Sequence, residues 1–169
     1  MSSLFNFHES PPNILVYYHL NQCDELFQIE MYNEDFINNW VSLSSIRSST
    51  QETNCAPNVL FFLGILAHYD AQQLSYHTEC DINKPGMYLN EVSIILDAFL
   101  RKGIHVNMYI IHIDHIFELF NSKLKPNHVT FFDIRREYDL GHSLAIGKTN
   151  NNELVVFDPQ QRIMYMGVD

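Results

Sequence analysis

The chain has 169 residues, 46% hydrophobic and 18% charged, which is enough apolar material for one domain with its own core and too much for a disordered tail. Its formal net charge is -10 and its Lys and Arg are scattered, which argues against a nucleic-acid partner or an anionic membrane surface. No stretch reaches the roughly 20 apolar residues that cross a bilayer, and the start, Met1-Ser2-Ser3-Leu4-Phe5, lacks the basic and apolar regions of a secretory signal.

Residues 1–50 read as an N-terminal elaboration of the same domain, separated from a core at 51–169 by a Ser- and Thr-rich loop over 42–50. In the elaboration, the apolar and aromatic run after Pro11-Pro12 predicts a strand over 13–20. Phe36, Ile37 and Trp40, spaced three to four apart, predict a short helix over 33–43. Phe5, Phe7, Tyr17 and Tyr18 read as core aromatics.

In the core, Thr53-Asn54 offers N-cap chemistry and Pro57 falls in a first turn, where its missing N–H costs nothing. Val59, Leu60, Leu63, Leu66 and Ala67 extend that helix to about His68. A second helix spans 89–102, with Val92, Ile95, Leu96, Phe99 and Leu100 on one side and Gly103 at the left-handed cap. Alternation and β-branched residues predict a strand over 104–113, and Asp114 is placed to cap a short helix through Phe120. Residues 142–148, 153–158 and 163–166 read as successive antiparallel strands, the first two joined by the turn Asn150-Asn151-Asn152. The expected class is α+β, with helices first and an antiparallel meander after them.

Three residues in this layout carry chemistry. Cys55 falls at a helix N-terminus, where unpaired amides and the macrodipole favour a thiolate and can hold an oxyanion. His142, in Gly141-His142-Ser143, heads a strand as a base would. Asp158, in Phe157-Asp158-Pro159, ends the next strand and can orient an imidazole. Each has a bland alternative: a small buried thiol, one of nine His, a turn-forming Asp-Pro. Together they make nucleophile, base and orienter. The cysteines, Cys23, Cys55 and Cys80, are odd in number and without paired spacing. They predict free thiols in a reducing, cytoplasmic setting. His112 and His115 lack a partnering C-x-x-C, so no metal or other cofactor is expected.

Asn54-Cys55-Ala56-Pro57, followed by Leu60, Leu63 and Tyr69, resembles the cysteine motif of C39-type, papain-like peptidases. Gly86, the helix to Leu100 and Gly103 resemble that family's second helix. Gly141-His142-Ser143 and Phe157-Asp158-Pro159 resemble its histidine and aspartate motifs. The set of Asn54-Cys55, His142 and Asp158-Pro159-Gln160 is equally similar to papain-fold toxin domains that deamidate protein glutamine. The likeness covers roughly residues 50–168. It implies a papain-like fold, N-terminal helices packed on a C-terminal antiparallel sheet, with Cys55 as nucleophile, His142 as base and Asp158 as orienter. Ala56 stands where the C39 group usually has Gly, and Ser49 stands where it has an oxyanion-donating Gln. Gln51 and Asn54 are the substitutes for that donor, and Gly141 and Gln160 are candidates for substrate binding.

The expected activity is hydrolysis of a peptide or isopeptide bond through a thioester on Cys55, with a protein or peptide, ubiquitin-like conjugates included, as substrate. A glutamine deamidase with the same triad and a catalytically idle protein-binding module are the two alternatives. Abundant Asn, Ile, Tyr and Phe with few Gly suit an AT-rich genome, compatible with an effector in a host cytoplasm.

Overall fold

The computed structural model describes residues 11–20, 24–31, 54–80, 87, 89–100, 103–136 and 141–167; for 78–80 it describes the backbone alone. The helix expected over 33–43, the loop at 42–50, Phe5, Phe7, Cys23, Gln51, Thr53 and Gly86 lie outside these residues, as does the side chain of Cys80.

The described chain is α+β. In order it forms β1 (Ile14–Leu20), β2 (Glu25–Leu26), β3 (Ile29–Glu30), α1 (Cys55–Phe62), α2 (His68–Cys80), α3 (Leu89–Leu100), β4 (Val106–His112), a 3-10 turn (Ile113–His115), α4 (Ile116–Lys123), β5 (His128–Arg135), β6 (Gly141–Lys148), β7 (Leu154–Asp158) and β8 (Ile163–Met166). The strands make one sheet in the order β2-β1-β5-β6-β7-β8, with β4 paired to β1 and β3 to β5. Every pairing is antiparallel.

Alternation along the strands divides their side chains between two cores. Val16, Tyr18, Val129, Phe131, Ala145, Val155 and Phe157 pack with α1 and α3. Leu15, Tyr17, Phe132, Ile134, Leu144, Ile146, Leu154 and Val156 pack with α4 on the other side. With both faces covered, β7 is buried along its whole length. The expected core role of Tyr17 and Tyr18 holds, at 7% and 0% exposure.

The helix α1 is buried nearly all round, through Ala56, Pro57, Asn58, Val59, Leu60 and Phe62. A helix with that profile belongs inside a layer rather than on a surface. Phe62 meets Phe157 of β7 with ring centroids 5.0 Å apart, which fixes the helix over the β6–β7 half of the sheet. Burying side chains of this size contributes about 1.5–3 kcal/mol each.

Four expectations change. The helix from Cys55 ends at Phe62 rather than near His68, because Gly64 takes a left-handed φ of +76° and turns the chain. A separate helix, α2, follows it. Asp114 does not cap the next helical segment; the His112 ring does, accepting from the Asp114 N–H at 3.2 Å. The sheet is not confined to the C-terminal part, because β1 lies within it between β4 and β5 and β5 is a further central strand. The strand expected over 13–20, the meander from β6 to β8 and the positive φ of Gly103 (+71°) are as read from the sequence.

Candidate active site

Cys55 is the first residue of α1, partly exposed and free of any disulfide. No acidic residue occupies the helix's first turn, so the positive end of the helix faces the thiol without a competing carboxylate. His142 is the second residue of β6, and Asp158 is the last residue of β7, the neighbouring strand. The three meet where the N-terminus of α1 overhangs the heads of these strands.

The imidazole Nε2 lies 2.6 Å from Asp158 Oδ2, short enough for a charge-assisted bond. Asp158 is nearly buried, with 6% of its side chain exposed, and His142 retains 29%. The second oxygen of Asp158 accepts the Gln161 backbone N–H at 3.2 Å, so both oxygens are assigned and the carboxylate cannot rotate freely. Cys55 also acts on His142, favouring its charged form. With Nε2 bonded to Asp158, Nδ1 is the nitrogen left to face other groups. Burial pushes the imidazole towards its neutral form, but the Asp158 hydrogen bond, its carboxylate charge and the neighbouring Cys55 outweigh it. The His142 pKa is raised to about 10. At neutral pH the ring is therefore an imidazolium, held between a sulfur and a carboxylate.

Asn54, the N-cap of α1, makes no side-chain bond to its own helix, contrary to the capping expected of it. Its Oδ1 instead accepts from Gln160 Nε2 at 2.7 Å, and its backbone carbonyl accepts from the Asn58 backbone and side-chain N–H groups at 3.1 and 2.9 Å. The turn after β7 thus acts as a clamp: Asp158 holds His142 while Gln160, two residues on, holds the residue before Cys55. Gly141 is close to the site for a different reason. A Cβ there would fall 2.0 Å from Asp133 Oδ1, so any side chain at this position would have to displace the Asp133 carboxylate.

Asp133 itself was not singled out by the sequence analysis, nor was Ser143. Asp133 interrupts the apolar run of β5 and is 4% exposed; a lone carboxylate inside a buried strand is the signal that would have found it. Among the described residues no group of three or more His, Cys, Asp or Glu side chains could hold a metal ion. No helix there is long and apolar enough to cross a membrane.

No protein-family model matches the chain, no curated protein matches it significantly, and no solved structure does so either. The case for a function therefore rests on the geometry of these side chains.

Proposed function

We propose that this chain is a papain-like thiol hydrolase that cleaves an amide bond through a thioester on Cys55. What supports the reading is the position of His142, bonded to Asp158 Oδ2 at 2.6 Å and near enough to Cys55 for the thiol to favour its charged form. A helix-borne thiol, an imidazole at the head of one strand and a carboxylate at the end of the next form a nucleophile, its base and the base's orienter.

The steps follow from that order. The Cys55 sulfur attacks the substrate carbonyl carbon, and the C–O π pair moves to oxygen. Backbone N–H groups at the start of α1, that of Cys55 included, are the available oxyanion donors. As the tetrahedral species collapses, the C–N bond breaks and the His142 imidazolium gives its proton to the departing nitrogen. The imidazole then takes a proton from water, whose oxygen attacks the thioester carbon. Collapse of this second adduct releases the acid and returns the sulfur to its pairing with imidazolium. Asp158 holds the ring in one orientation throughout and stabilises its charged form. Hydrolysis of a glutamine side chain would use the same steps with ammonia as the leaving group. Gln160, whose sequence context resembled the deamidases, has a positioning role in the clamp on Asn54, and peptide or isopeptide cleavage remains the preferred reading.

The test is intact-mass labelling with limiting iodoacetamide across pH 5–9, in wild type, Cys55→Ala and His142→Ala. The reading requires one fast-reacting thiol, lost in Cys55→Ala and slowed near neutral pH in His142→Ala. Three thiols that alkylate alike, with the profile of ordinary cysteine near pH 8.5, would sink it.

A further inference from the structure

We infer that Asp133 is a positioning residue for the Cys55–His142 pair, anchoring the head of β6 from the neighbouring strand and favouring the imidazolium with its negative charge. The inference rests on the function proposed above and extends it to a residue outside the triad.

The β5–β6 register sets Asp133 opposite Ser143, Ile134 opposite His142 and Arg135 opposite Gly141. From this place the carboxylate touches both neighbours of the base. Its Oδ2 accepts the Ser143 hydroxyl at 3.1 Å. Its Oδ1 occupies the space that a side chain at Gly141 would need, 2.0 Å from the ideal Cβ. The Gly141-His142-Ser143 segment is thus gripped at both ends by one side chain, and the ring it carries has little freedom to slide away from Cys55.

Packing alone does not account for a carboxylate here. Asp133 Oδ1 is buried without a hydrogen-bond partner, and so is Arg135 Nε, 3.7 Å away and beyond hydrogen-bond distance. A buried charge so incompletely matched is costly, and an Asn would fill the same space with less penalty. What Asn lacks is the charge. The groups facing that charge are Tyr18 from β1, His142 and Ser143 from β6, and Arg135 on its own strand. Burial raises the Asp133 pKa, while Arg135, the Ser143 bond and the charge of His142 lower it, leaving it at about 6. The interaction with His142 is mutual: an imidazolium favours ionised Asp133, and ionised Asp133 favours the imidazolium. Ionisation of Asp133 at about pH 6 therefore adds a negative charge that favours the His142 imidazolium.

The experiment is an NMR titration of the His142 ring in the full chain, with iodoacetamide labelling of Cys55 over the same pH range. The variants are Asp133→Asn, Ser143→Ala and Cys55→Ala. The expected result is that Asp133→Asn lowers the His142 midpoint by about one unit and removes an inflection near pH 6 from the labelling profile. Ser143→Ala, which keeps the charge but loses a bond that lowers the Asp133 pKa, moves that inflection to higher pH. A purely structural Asp133 would leave the midpoint and the inflection where they are in wild type. An unchanged midpoint in Asp133→Asn overturns the inference; if Cys55→Ala still lowers it, the proposed function survives. If neither variant moves the midpoint, both the inference and the thiol–imidazole reading fail.

Discussion

In the proposed mechanism, the Asp158–His142 bond, at 2.6 Å between a buried carboxylate and a half-buried ring, is what would give Cys55 a usable base. Asp158→Asn keeps the shape of the side chain but removes the charge that favours the imidazolium. We expect it to lower turnover of a substrate by roughly 10²–10⁴, measured as kcat/KM with the fold verified by circular dichroism. Gln160→Ala is a gentler probe of the clamp. It removes one partly buried hydrogen bond to Asn54, so urea unfolding should show a loss of about 1 kcal/mol; no loss would mean that the clamp does not help to hold the site. The three candidate residues were legible in the sequence because they stand at element boundaries, marked by Pro57 after Cys55, Gly141 before His142 and Pro159 after Asp158. Asp133 was not, because its one local mark, a carboxylate within an apolar run, does not say what it faces. Its role depends on the β5–β6 register and on the missing side chain of Gly141, and both are tertiary facts.

At the scale of elements, the placement of Cys55 depends on α1 being short and held over β7. Phe157→Ala removes the ring that meets Phe62 and leaves a void beneath the helix, at a cost of about 3–5 kcal/mol. The midpoint of denaturant unfolding should fall accordingly, and Cys55 labelling should slow even where the protein stays folded. Gly64→Ala should cost about 1 kcal/mol, because its φ of +76° is one that L side chains rarely adopt although space for a Cβ is open. A neutral result would mean that the turn after α1 relaxes. That turn also explains why the helix end was misread: Ile65 and Leu66 continue the apolar spacing past Gly64, and periodicity cannot see a change of backbone hand. The helix α2 escaped notice for the opposite reason, since its run His68–Cys80 is largely polar and Ala71 and Ser75 are its described buried side chains. The strand β5 is buried on both faces, so it lacks the alternation that betrays a half-exposed strand.

For the whole molecule, two titrating groups tie stability to pH in the same direction. The folded pKa of His142 is raised from 6.5 to about 10, so its contribution is fully present below pH 6.5 and is lost as pH rises through 10. The stability difference between wild type and His142→Ala, followed by urea unfolding, should therefore shrink between these values; a constant difference would deny the raised pKa. The folded pKa of Asp133 is also raised, from 3.8 to about 6. Its neutral form suits the interior, and that advantage is lost as pH rises through 6. Asp133→Asn should accordingly gain on wild type between pH 4 and 6, by up to about 3 kcal/mol, while its reactive thiol is less well supported. A variant more stable and less reactive at neutral pH is the signature to look for.

The central place of β1 bears on how the molecule comes into being. Ile14 lies opposite both His112 and Arg135, so β1, which has only the two-residue β2 as a partner close in sequence, must wait for much later strands to complete its pairing. Pairings this distant along the chain make for slow folding and leave intermediates with unpaired edges. Cys55 is synthesised long before His142 and Asp158 exist. On the proposed reading, the thiol meets its base and orienter only once β6 and β7 have formed beside α1, so the site is among the last features to assemble.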